Sequence, residues 1–271
     1  MALVAPPQGP AAPYTSPPML FQPTPQYNYA ASIAAQDKAR QIDKTKTGLL
    51  LLIIGTLISP IPYIQIIGGI LDIVGAILVI VGRNAFGTVH ARNTIWSIVI
   101  YVIGLAVLFA GAIAFGFAIA SATLVGIGGG TVNPTSIGQS LSSAFNLLLV
   151  LAAVGGAISG IAEVLFTYAL QKQIGKILLW TGYAAALAVS IIEFIIISPL
   201  IQNAVSQSFT GTTFDPTALN DLQSQLRALG LLSFIPAIIW AIAFYLAWSR
   251  INNRQIPSPP QQQPPMPGPS N

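Results

Sequence analysis

Five apolar stretches of 20 or more residues, almost free of charged side chains, dominate this chain: Gly48 to Gly82, Ile95 to about Ala120, Phe145 to Leu170, Ile177 to Ile201 and Gly230 to Ser249. A helix rises 1.5 Å per residue, so about 20 residues cross a hydrocarbon layer ~30 Å thick. Lys and Arg number only 11 and Asp and Glu only 7 among 271 residues, against roughly a quarter charged residues in soluble domains. With 54% apolar residues, the chain lacks the polar surface that a water-soluble globule of this size needs. The composition predicts an all-α polytopic integral membrane protein.

Cysteine is absent, which removes disulfide scaffolds, thiolate-held zinc, iron–sulfur clusters and thiol catalysis. The formal charge is +4, yet ten of the eleven basic residues flank apolar runs. No basic helix or aromatic-studded strand gathers them, so nucleic acid is not an expected partner. Residues 1–30 contain no Lys or Arg and no apolar core of seven residues, and a cleaved signal peptide is not expected.

The number of crossings turns on the first apolar stretch, 35 residues long, with Ser59-Pro60-Ile61-Pro62 near its middle. Two prolines so close together break a helix, and the stretch reads as two helices, about 46–63 and 65–82. The other spans are about 95–120, 145–170, 177–201 and 230–249. Loop charge separates six crossings from five, because translocated loops avoid Lys and Arg. Six crossings gather Lys38, Arg40, Lys44, Lys46, Arg83, Arg92, Lys172, Lys176, Arg250 and Arg254 on one side and leave only Arg227 opposite. A single passage through 48–82 splits the same residues five against six. The expectation is therefore six transmembrane helices in a cell membrane, both termini cytoplasmic. Trp96, Trp180 and Trp248 fall at the predicted cytoplasmic boundaries, where indoles prefer to sit.

Fifteen of the 21 prolines lie between Pro6 and Pro25 or between Pro257 and Pro269. Such segments bury too little apolar surface to offset their ordering entropy, which predicts disordered tails over 1–31 and 250–271. The first holds PxxP spacings on which a protein partner could dock; the plainer reading is a solvated tether, because PxxP is common in any Pro-rich run. Ser32 to Thr47 reads as a juxtamembrane helix whose basic residues can reach anionic head groups, or as a plain lead-in to the six-helix domain over 48–249. Ser121 to Ala144 reads as a flexible Gly, Ser and Thr-rich loop. On the second external segment, Asp215 and Pro216 open a helix with Leu219, Leu222, Leu226 and Leu229 in a stripe.

Three acids lie inside the spans: Asp72, Glu163 and Glu193. No Lys, Arg or His accompanies them at depth, and a charged side chain there costs about 2.5 kcal/mol or more. Asp72 shares a helix face with Gln65, Gly68, Gly69, Gly75 and Ala76; Glu163 with Gly156, Ser159, Gly160 and Thr167; Glu193 with Gly182, Ala186 and Ser190. Small residues mark tight helix contacts in membranes, so all three acids point into the bundle. Helical rise places Asp72 and Glu193 roughly 10–12 Å below the outer face and Glu163 about 10 Å above the inner one. Asp72 and Glu193 could then share a proton or cation site; alternatively the acids are protonated and hydrogen-bond their neighbours to specify packing.

No cofactor and no catalytic or metal-ligating set is predicted. His90 is the only histidine and falls in the 83–94 loop, away from any serine deep in the bundle. Gly156-Ala157-Ile158-Ser159-Gly160 departs from G-x-S-G at Ala157 and reads as a GxxxG packing face. A two-aspartate intramembrane protease needs a second buried Asp, and the Gly126 to Gly130 run lacks the GK[ST] ending of a phosphate loop. Two inverted sets of three helices would centre on Asp72 and Glu193, but Ser59-Pro60 and Ser198-Pro199 recur at the same face, against such a repeat.

The basic lead-in, Gly48 followed by four leucines, and Gly68-Gly69-Ile70-Leu71-Asp72-Ile73-Val74-Gly75 resemble uncharacterised archaeal multi-pass membrane proteins. That resemblance implies a membrane fold and no activity. The sequence thus leads to a non-enzymatic membrane scaffold or interaction protein, with the bilayer, proteins docking at the tails and further copies of itself as its partners. The alternative is a proton- or cation-coupled transporter or channel working through the intramembrane carboxyls.

Overall fold

The computed structural model describes residues 25–127, 134–208 and 217–257. The described residues are helical, with no strand among them: α1 Pro25–Ile58, α2 Gln65–Gly82, α3 Thr88–Ile127, α4 Pro134–Tyr168, α5 Gln173–Ser208, α6 Thr217–Gly230 and α7 Phe234–Asn252. Among the described residues, five helical stretches are long and apolar enough to cross a membrane: Gln65–Phe86, Thr88–Ser121, Gly138–Tyr168, Gln173–Ala204 and Gln223–Asn252. Helices are the natural outcome for such runs, since hydrocarbon offers no partner to an unpaired peptide group.

The first apolar stretch divides at its proline pair. α1 ends at Ile58 and α2 opens at Gln65, with Tyr63 at φ 72 reversing the chain. Pro60 and Pro62 have no N–H to continue a helix; the Ser59 amide closes back on the Gly55 carbonyl at 2.8 Å and that of Ile61 on Ile58 at 2.9 Å. α1 and α2 then run antiparallel in close contact. The Gly48 and Gly75 backbones face each other so tightly that a Cβ on Gly48 would stand 2.6 Å from the Gly75 carbonyl oxygen, and one on Gly75 2.7 Å from that of Gly48. Thr45 meets Gly82 at one end of this seam and Ser59 meets Gly68 at the other. Small residues in register allow the two backbones this approach.

Several boundaries differ from the sequence reading. The helix expected to begin at Ser32 begins at Pro25; Ala30, Ala31, Ala34 and Ala35 are strong helix formers and extend it. Residues 1–24 and 258–271, most of the expected tails, lie outside the described residues, and Arg250 to Asn252 complete α7. The expected 121–144 loop is largely helical, with α3 running to Ile127 and α4 starting at Pro134; only 128–133 fall outside the description. The 83–94 loop contracts to a single 3-10 turn, Arg83–Phe86, and Gly87 at φ 93. Helix α3 therefore takes in both His90 and Arg92. α5 continues through Pro199, and α6 covers the leucine stripe, while Asp215 and Pro216 lie outside the described residues.

The tightest core joins α1, α2, α4, α5 and α7 through Leu49, Val79, Val164, Leu179, Phe244 and Ile251. Around it sits a set of cross-helix polar ties. Gln171 Nε2 donates to the Ala243 carbonyl at 2.7 Å, Arg250 donates to the Leu170 carbonyl at the end of α4, and Lys46 lies 5.8 Å from the Trp248 ring centre. α3 and α4 also pair along their length, built on Gly104 and Gly155, where a Cβ on either would approach the other's carbonyl oxygen to 2.7 Å.

Candidate functional site

Beside this core, and sharing Leu52, Trp240 and Phe244 with it, lies a cavity of about 770 Å³. α1 contributes Thr56, the turn after it Ser59, α2 Asp72, α3 Ser97 and Tyr101, α4 Glu163, the 3-10 turn Leu231–Ser233 its Ser233, and α7 Trp240. The remaining wall is mostly aliphatic or aromatic, including Ile73, Ile77, Phe166 and Phe244. A second cavity of about 320 Å³ lies between α3, α4, α5 and α7. Tyr101, Glu163, Ala186 and Trp240 line both.

Asp72 is placed by the glycine seam. Gly55 packs directly on its carboxyl, leaving no room for a side chain there. Thr56 Oγ1 lies 3.5 Å from Asp72 Oδ1, and Ser59 Oγ 3.2 Å from Asp72 Oδ2. The Ser59 hydroxyl also lies 2.9 Å from the Gly55 carbonyl, and it has one hydrogen to give. A neutral Asp72 satisfies both contacts by donating to Ser59, which donates onward to Gly55. An ionised Asp72 makes Ser59 choose between the two acceptors. The arrangement therefore distinguishes the two protonation states of Asp72 by a single hydroxyl rotation.

Glu163 differs. It is open to the cavity, and no described residue donates a hydrogen bond to it. It lines the same cavity as Asp72 and Tyr101. Glu193 lines neither cavity; Ser233 Oγ, 3.5 Å from Glu193 Oε1, stands between it and the larger one. The structure thus brings Asp72 and Glu163 to one chamber and sets Glu193 one hydroxyl behind its wall.

The glycines singled out in the sequence divide into two groups. Gly68, Gly75 and Gly160 are contact points, against Ser59, Gly48 and the Tyr183 ring respectively. Gly69 and Gly156 touch nothing within 4 Å on the side where a Cβ would project; they line the larger and the smaller cavity. His90, expected in the 83–94 loop, lies on α3. It is 1% exposed, edge-on to Phe86 at 5.7 Å, with neither ring nitrogen hydrogen-bonded, and it lines neither cavity.

Sequence reasoning missed Tyr101, Thr56 and Trp240 as site residues. One signal was available: Trp240 is the tryptophan of the four that does not sit at a predicted membrane boundary. Among the described residues no group of three or more His, Cys, Asp or Glu could hold a metal ion. The chain matches no protein family, no curated protein and no solved structure.

Proposed function

We propose that this chain crosses the bilayer six times, with both ends on the cytoplasmic side, and works as a proton- or cation-coupled carrier through Asp72 and Glu163. The observation that carries this reading is a chamber of about 770 Å³ walled by two carboxyl groups and, among its described lining residues, by no Lys, Arg or His. Carboxyls in a membrane interior face a large cost when ionised, so each charge they acquire calls for a proton or a cation nearby. The single-hydrogen relay at Ser59 is suited to a carboxyl that changes protonation state.

The sixth crossing is supported by register. α2 is among the apolar helices long enough to cross, and residues 45 to 59, on α1 and the turn after it, contact α2 from Gly82 back to Gly68. A helix laid antiparallel along a crossing helix traverses the same depth. Lys46 at its end can extend its ammonium toward the interface. Loop charge, ten basic residues against one, favours the same count.

The scaffold reading rested on the Pro-rich tails, which lie outside the described residues; the chamber gives the carrier reading the firmer basis. The test is reconstitution into liposomes loaded with a pH-sensitive dye, followed by gradients of Na⁺, K⁺ and an organic cation in turn. Proton movement under one of these gradients, lost in Asp72→Asn and in Glu163→Gln, is the expected result. No proton movement under any of them overturns the carrier reading.

A further inference from the structure

Which cargo fits depends on size, sign and lining. A volume of about 770 Å³ corresponds to roughly 25 waters at about 30 Å³ each, and falls among pockets that hold drug-sized organic molecules, about 300–1,000 Å³. An inorganic divalent cation would be lost in it, because such ions need six or more oxygens at about 2.0–2.6 Å. The described residues bring no three candidate acids together, and the Thr56 and Ser59 hydroxyls already face Asp72.

The sign is set by Asp72 and Glu163, with no described basic side chain in the lining to welcome an anion. Most of the wall is apolar, which favours a ligand whose charge is attached to a large hydrophobic body. Tyr101 and Trp240 stand beside Glu163 where the two cavities meet. Aromatic rings attract cations, by about 2 kcal/mol when the pair is shielded from water, and they also cover flat apolar groups. Two carboxyls, an indole and a phenol in an otherwise largely apolar lining make a site for an amphiphilic organic cation.

We infer that the cargo is an amphiphilic organic cation with an aromatic body, held with its charge between Asp72 and Glu163 and its rings against Tyr101 and Trp240. This inference rests on the carrier reading above. Binding and proton occupancy compete: the cation enters as the carboxyls release their protons, and reprotonation expels it, so the site exchanges one kind of positive charge for another. Asp72 has its relay partner in Ser59, whereas Glu163 is open to the ligand.

The probe is tetraphenylphosphonium added to the purified full-length chain in detergent, in weakly buffered solution with a pH indicator. Wild type is expected to bind it saturably and release protons into the medium. It should also show quenched tryptophan fluorescence, a signal removed by Trp240→Phe. Affinity should fall at least tenfold in Glu163→Gln and in Asp72→Asn, and wild-type affinity should weaken as the solution is acidified. The neutral analogue triphenylphosphine oxide should release no protons. The acidification series needs no variant, so it still decides the question if a substitution prevents folding. Binding that is equal in wild type and both variants, or that is indifferent to acidification, overturns the inference.

The liposome gradients separate this failure from failure of the carrier reading. If Na⁺ or K⁺ moves protons through reconstituted wild type while tetraphenylphosphonium neither binds nor releases protons, the organic cargo is wrong and the carrier stands. If neither these ions nor external ethidium moves protons, both readings fall.

Discussion

Replacing Gly75 with alanine tests the seam on which the site is built. The added methyl would lie 2.7 Å from the Gly48 carbonyl oxygen and 3.0 Å from Leu52 Cγ, where real Cβ contacts stay at or beyond about 3.4 Å. Both neighbours belong to a backbone or a buried side chain, so α1 must retreat by roughly 0.5 Å. A gap of that size forfeits about a quarter of the dispersion attraction across it. Leu49, Leu52 and Val79 are all buried at this seam. A buried leucine makes 40–60 contacts of about 0.1–0.2 kcal/mol, so a quarter is on the order of 1 kcal/mol per residue. The sum, about 2–3 kcal/mol, agrees with the usual cost of overpacking.

Gly69→Ala is the internal control. It lies six residues earlier on the same helix, and a Cβ there meets nothing within 4 Å, so it carries no steric cost and gains the higher helix propensity of alanine. Thermal unfolding of the two variants in the same detergent, followed by tryptophan fluorescence, should show Gly75→Ala lowered by several degrees and Gly69→Ala unchanged or raised. Equal midpoints, or a larger loss in Gly69→Ala, would refute the antiparallel register of α1 and α2.

The natural absence of cysteine makes topology directly measurable. Single cysteines at Ser32 and Ser258 should both resist an impermeant maleimide applied outside intact cells, and one labelled and one protected terminus would exclude six crossings. His90→Leu is expected to raise the unfolding midpoint, since a buried imidazole with two unpaired nitrogens costs about 1–3 kcal/mol; a loss of stability would reveal a partner for His90. Gln171→Ala removes the 2.7 Å bond to Ala243 and should cost about 1–2 kcal/mol, whereas Gln171→Met, which keeps the volume, should cost less than half as much in the same melt. Ser59→Ala leaves Asp72 without its relay, and proton release on cation binding should slow severalfold in stopped flow while Thr56→Val has a smaller effect.

How much of this was legible follows from what hydropathy encodes. Long apolar runs announce helices because the bilayer leaves the backbone no other state, and α2, α3, α4, α5 and α7 appear where those runs lie. The inward direction of Asp72 and Glu163 was legible from the small residues beside them. Which acids meet was not, because lipid-facing and helix-facing positions are equally apolar and adjacency leaves no periodic mark. The depth arithmetic paired Asp72 with Glu193, while Glu163, about 8–10 Å from the Asp72 level by helical rise, shares its chamber. Glycine spacing failed for the same reason: Gly156 and Gly155 are neighbours in sequence, yet Gly155 meets Gly104 and Gly156 faces a cavity. Ser121 to Ala144 read as a loop because Gly, Ser and Thr mark turns in water, whereas in a bilayer they are ordinary helix residues.

The polar ties between helices do not line the cavity, and this bears on mechanism. Gln171 to Ala243, Arg250 to Leu170 and the cluster around Leu49, Leu179 and Ile251 join several helices at one end. Around the carboxyls, by contrast, the described contacts are long hydroxyl approaches of 3.2–3.5 Å and glycine faces. Elements that move are drawn from regions with few buried contacts. The α1 and α2 hairpin carries Asp72 and Ser59 as one unit locked by Gly48 and Gly75, while Glu163 rides on α4, locked to α3 through Gly104 and Gly155. A change of the chamber then amounts to these two pairs pivoting about the tied end, which alters the distance between the carboxyls without breaking either glycine seam. A disulfide-free crosslink across Thr56 and Ser233 should accordingly abolish transport and leave cation binding intact, and transport that survives the crosslink would rule out the pivot.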